Sequence, residues 1–251
     1  MHNKLRAVWE QSQTAVNAWL AIPSSVTAEL VSKQDFDSVT VDLQHGLNDY
    51  ASALGMLQAL AASDVTPMAR VPWLEAGIIM KLLDAGALGI VCPMVNTRAD
   101  AEALVSYAHY APQGSRSFGP MRAALVHGAD YHRKANDSVI VLAMIETAQA
   151  LENVADIART PHLTGVYIGP SDLGLSMGHE PKLDQEEPAV VAAIEQILAA
   201  AHEAGIKAGI HCLAPSYARR MRELGFDLVT LGSDARLLSA ALNDAVTQMR
   251  A

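Results

Sequence analysis

Short apolar runs recur along the chain, separated by longer stretches whose apolar residues fall at helical spacing. The apolar runs are "NAWLAI" (17–22), "FDSVTVDL" (36–43), "TPMAR" (66–70), "LGIVCP" (88–93), "VIVLAMIE" (139–146), "TGVYIG" (164–169), "IKAGIH" (206–211) and "FDLVTLG" (226–232). Their near-continuous apolar character predicts parallel strands covered on both faces. The intervening segments "DYASALGMLQALAAS", "LEAGIIMKLLDAG", "TRADAEALVSYAHYA", "TAQALENVADIAR" and "EPAVVAAIEQILAAAHEAG" read as amphipathic helices. Gly86, Gly205 and Gly225 stand where such helices stop, each just before a strand. Eight strands in strict alternation with helices predict a closed (β/α)8 TIM barrel, an α/β fold, over an open doubly wound sheet. No Gly-x-Gly-x-x-Gly follows the first strand, which disfavours a dinucleotide-binding fold. A helix over "NKLRAVWEQ" precedes the first strand and is expected to cap the bottom of the barrel.

The length of 251 residues suits one such barrel, so residues 1–251 are read as a single domain. Hydrophobic residues make up 51% but aromatic residues only 5%, so small aliphatic side chains must fill the core. The net charge of −9 and the lack of a basic patch argue against nucleic acid as a partner. The same acidity disfavours a polyanionic ligand such as coenzyme A. The basic stretch "ARRMRE" (218–223) reads as one solvated helix face. Cys92 and Cys212 end apolar runs and form no Cys-x-x-Cys, which predicts buried, reduced thiols. Neither a signal peptide nor a membrane-spanning stretch is visible, and the expected location is cytoplasmic. The long segment "PQGSRSFGPMRAALVHGADYHRKANDS" is expected to be a loop, and long loops often carry function.

Barrel active sites lie at the C-terminal ends of the strands, so the residues there are the candidate chemistry. The second strand ends in Asp42, Gln44 and His45, the third in Arg70, the fifth in Glu146 and the seventh in His211; the sixth runs into "GPSDLGLSMG" with Ser171 and Asp172. Each has a plain structural alternative: Glu146, Ser171 or Asp172 could serve a helix N-terminus, Arg70 could be an ion-pair partner, and His45 a satisfied loop histidine. For His211 the structural reading outranks the functional one. Together the set makes chemical sense. Glu146 and Asp172 offer hard oxygen ligands for Mg²⁺ or Mn²⁺. The N–H groups of "GPSDL" could cradle a carboxylate, Arg70 could stabilise an oxyanion, and His45 could move a proton near neutral pH. This combination points to enolate chemistry on a 2-oxo acid.

The anchors "VDLQHGLND", "ARVPW", "LLDAGALGIVCPMV", "GSRSFGP", "MIETAQALENV" and "YIGPSDLGLSMG" stand in an order and spacing that resembles the HpcH/HpaI family of metal-dependent class II pyruvate aldolases. That group includes 4-hydroxy-2-oxoheptanedioate and 2-dehydro-3-deoxyglucarate aldolases. The resemblance implies a barrel of the phosphoenolpyruvate/pyruvate type. It implies Glu146 and Asp172 as ligands of a divalent metal (Mg²⁺ or Mn²⁺ favoured, Co²⁺ or Zn²⁺ possible). It implies Arg70 as the group stabilising the enolate-like transition state, Ser171 and the backbone beside Asp172 as contacts of the pyruvate carboxylate, and His45 as proton acceptor through a water. Family members pair this histidine with an acidic residue matching Asp84, and assemble as homo-oligomers, typically hexamers, so that Asp84 can arrive from a neighbouring subunit. Asp42 is the competitor within the chain. Met144 stands where some relatives carry a substrate-binding glutamine. Trp19, Leu213 and Phe118 are candidates for the aldehyde side of the pocket.

The expected activity is therefore reversible cleavage of a 4-hydroxy-2-oxo acid to pyruvate, or another 2-oxo acid, and an aldehyde. A Schiff-base aldolase would need a lysine at the barrel mouth. Among the six lysines only Lys207 lies in a predicted strand, and at its beginning. An acyl-CoA ester lyase of the same superfamily and a 2-oxo-acid binding module without turnover are the remaining alternatives.

Overall fold

The computed structural model describes residues 2–251. Eight parallel strands close into a barrel in chain order. They are β1 (Ala15–Leu20), β2 (Ser38–Asp42), β3 (Thr66–Arg70), β4 (Gly89–Cys92), β5 (Ile140–Ile145), β6 (Gly165–Ile168), β7 (Lys207–Cys212) and β8 (Leu228–Leu231). Closure comes from β1, which pairs with β2 on one side and with β8 on the other, Val16 opposite Val229. The first strand lies two residues earlier than its apolar run predicted. Ala21 and Ile22 leave the ladder because their N–H groups donate to the Asp234 carboxylate, at 2.8 and 3.3 Å.

Side chains alternate between two cores, as the strand period of two requires. Outward-facing residues such as Leu20, Val39, Ile90, Val141, Ile168 and Ile210 pack with the helices in one large cluster. Inward-facing Ala15, Trp19, Met68, Val91, Leu142, Met144, Tyr167 and Leu228 form a second cluster with Leu5 and Trp9 from the first helix, Lys4–Glu10. That helix closes the bottom, as expected. Asn3 caps it, the Leu5 N–H donates to Thr66 Oγ1 at 2.9 Å, and the Trp9 indole donates to the Asp227 carbonyl at 2.8 Å.

The interior is more polar than the apolar runs implied. Asn17, Ser38, Thr40 and Thr230 are fully buried at inward positions. They satisfy one another: Asn17 Oδ1 accepts from Ser38 and Thr40, and its Nδ2 donates to Thr230 Oγ1 at 3.0 Å. Burying these groups without such partners would cost about 1–3 kcal/mol each. Gly209 provides the space for Tyr167 beside them, since a Cβ there would stand 2.8 Å from the tyrosine ring.

Residues 112–138 are not one long loop. They hold two helices, Met121–His127 and Tyr131–Ser138, and connect the helix Arg98–Ala108 to the start of β5. This segment therefore lies at the bottom of its own barrel, away from the C-terminal ends of the strands. The last helix, Asp234–Arg250, buries only its first residue. No helix among the described residues is long and apolar enough to cross a membrane.

Trp9→Ala is expected to lower the unfolding free energy by about 3–5 kcal/mol, the usual cost of emptying a buried aromatic site. Urea denaturation measures it; an unchanged midpoint would show that the N-terminal helix is not part of the barrel's core.

Candidate active site

A cavity of about 300 Å³ opens at the C-terminal rim of the barrel, lined by residues from the ends of seven strands and the segments that follow them. It brings together Asp42, His45, Arg70, Glu146, Ser171 and Asp172, with Trp19, Met144 and His211 as its floor and wall. Residues separated by more than a hundred positions meet here because every parallel strand points its C-terminal end to the same side.

Asp42 is the electrostatic partner of Arg70. The guanidinium donates from Nε to Oδ1 at 2.8 Å and from Nη2 to Oδ2 at 2.7 Å, a bidentate fork with both groups almost fully buried. The Arg70 guanidinium also lies over the Trp19 ring, 4.8 Å from its centroid. Burial alone would push the Asp42 carboxyl up. The hydrogen bonds and charge of Arg70, aided by Trp19 and the Gln44 N–H, outweigh it and hold the carboxyl below the usual range. Asp42 thus fixes Arg70 and does not orient the His45 imidazole; only the His45 backbone N–H reaches it, at 3.4 Å. The His45 ring stands at the exposed edge of the cavity.

Glu146 is 1% exposed, just beyond β5. Its Oε1 accepts from the Met94 N–H at 2.8 Å, which Met94 presents from a left-handed backbone with φ of 55°. Thr147, not Glu146, caps the helix that follows. Burial pushes the Glu146 carboxyl up to about 7; the Met94 N–H opposes this and the negative charge of Asp172 adds to it. Gly169 makes the arrangement sterically possible: its φ of −98° is open to any residue, but a Cβ would stand 2.5 Å from Glu146 Oε2. Ser171 and Asp172 sit in the first turn of the helix Pro170–Ser176, and neither caps it.

Two carboxylates therefore face one cavity, and among the described residues neither forms an ion pair. Like charges facing one cavity favour a cation between them. No group of three or more His, Cys, Asp and Glu side chains suited to a metal occurs among the described residues. Glu146 and Asp172 are hard oxygen donors of the kind that suits Mg²⁺ or Mn²⁺.

Several expected site residues lie elsewhere. Leu213 is 42% exposed and outside the cavity lining; its N–H donates to Asp184 at 2.7 Å. Phe118 is 70% exposed, packed against Tyr110 and His132 in the bottom segment. Gln44 does not line the cavity, and its buried Oε1 has no partner. Asp84 ends the helix Ala76–Asp84 at the far end of its own barrel, where Arg116 Nη2 donates to it at 2.6 Å. Conversely, Leu183, Ser233 and Arg236 line the cavity unannounced. The "GSD" after the eighth strand was a legible helix-start signal for Ser233, which caps the last helix. Arg236, beyond that cap, carries no periodic signature.

A model of the HpcH/HpaI aldolase/citrate lyase family matches residues 16–241. The chain belongs to that family. The chain is 43% identical over 249 residues to a hydroxypyruvate/pyruvate aldolase of Rhizorhabdus wittichii, covering 99% of each. It is 35% identical to a 4-hydroxy-2-oxo-heptane-1,7-dioate aldolase of Shigella flexneri, covering 96% of this chain and 91% of that one. A crystal structure of an HpcH/HpaI family protein from Burkholderia cenocepacia superposes with a TM-score of 0.92 at 31% identity, covering 99% of this chain and 100% of that one. The HpcH/HpaI member described here is a carbon–carbon lyase of the aldolase type.

Gly169→Ala is expected to cut kcat/KM by at least about tenfold, because the Glu146 carboxylate must move. Steady-state kinetics check this; unchanged kinetics would show that the Glu146 position is not critical. The raised Glu146 carboxyl also has a stability consequence. Its folded-state value of about 7 exceeds the ordinary 4.5, so without a cation the fold loses stability as pH rises between them and through 7. Glu146→Gln should raise the metal-free Tm at about pH 8, by roughly 2–4 °C for each 1 kcal/mol relieved. Mg²⁺ should stabilise the wild type and not the variant. Identical thermal profiles for the two proteins would refute the assignment.

Proposed function

We propose that the chain catalyses reversible aldol cleavage of 4-hydroxy-2-oxo acids to pyruvate, or hydroxypyruvate, and an aldehyde. One observation carries the reading: a carboxylate pair and a carboxylate-held guanidinium converge on one small cavity at the barrel rim. A divalent ion held by Glu146 and Asp172, Mg²⁺ or Mn²⁺ foremost with Co²⁺ or Zn²⁺ as alternatives, supplies Lewis-acid polarisation of the 2-oxo group.

The protein's own residues do the rest. Asp42 engages Nε and Nη2 of Arg70, which leaves Nη1 as a preorganised donor to the oxygen that gains charge as the C3–C4 bond breaks. Ser171 and the backbone N–H groups around Asp172 receive the substrate carboxylate. His45, at the open edge, accepts the 4-hydroxyl proton through a water and returns it in synthesis. Met144 presents a thioether where an amide could have donated, so the oxo acid is held there by packing alone. The cavity of about 300 Å³ suits a small oxo acid and aldehyde.

The chain acts as a homo-oligomer, for which the family resemblance implies a hexamer. The exposed apolar residues of the helix Asp234–Arg250 support this: Leu237, Leu238, Leu242, Val246 and Met249 are 48, 53, 58, 46 and 75% exposed. Asp84 then orients the His45 of a neighbouring subunit, since its own His45 lies at the opposite end of the barrel. The two buried free thiols fit a reducing cytoplasm.

Chelation should abolish pyruvate-dependent aldol activity, and Mg²⁺ or Mn²⁺ should restore it. His45→Ala and Glu146→Ala should each lower kcat by roughly 10²–10⁴-fold. Full activity after exhaustive metal removal, a borohydride-trapped lysine adduct, or turnover confined to acyl-CoA substrates would overturn the reading. Mixed oligomers of His45→Ala and Asp84→Ala chains should regain activity, because one mixed site keeps both groups. Inactive mixtures would place the pair within one chain.

A further inference from the structure

The interior hydrogen-bond chain ends at the active site, and its direction can be traced. Asn17 Oδ1 is taken by the hydroxyls of Ser38 and Thr40, so its Nδ2 donates to Thr230 Oγ1 at 3.0 Å. Thr230 Oγ1 also accepts the Tyr167 hydroxyl proton, at 2.6 Å. Tyr167 has then only lone pairs to offer, and its oxygen lies 3.2 Å from His211 Nδ1. With the Tyr167 proton directed to Thr230, it is that nitrogen that carries the proton of a neutral ring. A singly protonated imidazole with its proton on Nδ1 has a bare Nε2.

The His211 ring stands edge-on to Trp19, with centroids 4.9 Å apart, and lines the cavity. Among the described residues the ring's one hydrogen bond is through Nδ1, and Nε2 makes none. Burial, with the nearby Arg70 charge, pushes the imidazole down to about 3, so the ring carries a single proton at working pH. The rest of the cavity sorts by role. Arg70 and Arg236 are donors, Asp42 is consumed by Arg70, and Glu146 and Asp172 face the cation position. An acceptor with nothing to accept remains on the β7 side.

We propose that His211 is a specificity-determining residue whose Nε2 accepts a hydrogen bond from a substrate hydroxyl next to a reacting carbonyl. This rests on the aldol reading above. A carbonyl oxygen cannot donate to a bare nitrogen, whereas a hydroxyl can, so the cavity favours hydroxylated partners. The hydroxyl can belong to the oxo acid, as in hydroxypyruvate, or to the aldehyde, as in glycolaldehyde. Tyr167 is the positioning residue that holds the imidazole proton on Nδ1.

The test crosses pyruvate or hydroxypyruvate with acetaldehyde or glycolaldehyde in the Mg²⁺-loaded enzyme. His211→Phe should lower the ratio of kcat/KM for the hydroxylated over the deoxy partner by roughly 10–100-fold, and the arm in which it falls names the source. His211→Gln, which keeps an acceptor oxygen, should restore part of that ratio. Tyr167→Phe should shift it in the same direction as His211→Phe. Independently of turnover, ¹⁵N NMR of the wild type should show a protonated Nδ1 and a bare Nε2. The Nε2 resonance should move on adding the hydroxylated partner and not its deoxy counterpart. An unchanged ratio in both arms, or a proton on Nε2, would overturn the proposal. A wild type inactive with all four pairs would instead overturn the aldol reading, and the NMR measurement would still decide the role of His211.

Discussion

Closure of the barrel is the constraint on which everything else rests. β1 must pair with β8 as well as with β2, and this makes eight strands share one axis and one direction. A closed parallel sheet has a single C-terminal rim, so strand ends far apart in sequence become neighbours. It also has no edge and no dry way to leave inward polar groups unpaired. The interior hydroxyls and amide are therefore linked across strands, Asn17 of β1 to Ser38 and Thr40 of β2 and Thr230 of β8. The same bonds that satisfy these groups join β1 to both its neighbours.

Asp42 and Glu146, both buried at the rim, are handled in opposite ways. Asp42 and Arg70 neutralise each other within the protein, through a fork that also fixes the direction in which the remaining guanidinium N–H points. The cost of desolvating both ions is offset by close geometry, and what is gained is a rigid donor. Glu146 has no such partner: one backbone N–H holds it, and Asp172 adds a like charge. Among the described residues no cation pairs with either carboxylate. The rim is finished on the arginine side and left without a neutralising partner on the carboxylate side.

Much of this was legible in the chain. Short apolar runs alternating with helical ones announced the barrel. Polar residues closing those runs named Asp42, His45, Arg70, Glu146, Ser171 and Asp172, all of which line the cavity. Legibility failed where local pattern and three-dimensional neighbourhood part company. Residues 112–138 had the composition of a loop, yet they form helices at the opposite end. Leu213 and Phe118 looked like apolar wall material, but only the direction of each side chain decides whether it faces the cavity. Asp42 stands three residues from His45, and proximity in sequence made it a candidate for orienting the imidazole. Its carboxylate turns inward to Arg70, because the strand places both side chains on the interior face at paired positions, Asp42 beside Arg70.

The sequence by itself determined the fold class, the rim on which chemistry could occur and the residue types available there. Periodicity is local, and strand ends are marked by where apolar character stops. Only the tertiary structure decided partnership: Arg70 with Asp42, Glu146 with the Met94 N–H, Asp84 with Arg116, and His211 with Tyr167. Hydrogen bonds and ion pairs depend on distances of about 3 Å between atoms whose positions are set by the whole closed sheet. No window of the chain contains that information, because each partner is supplied by a distant segment of the chain.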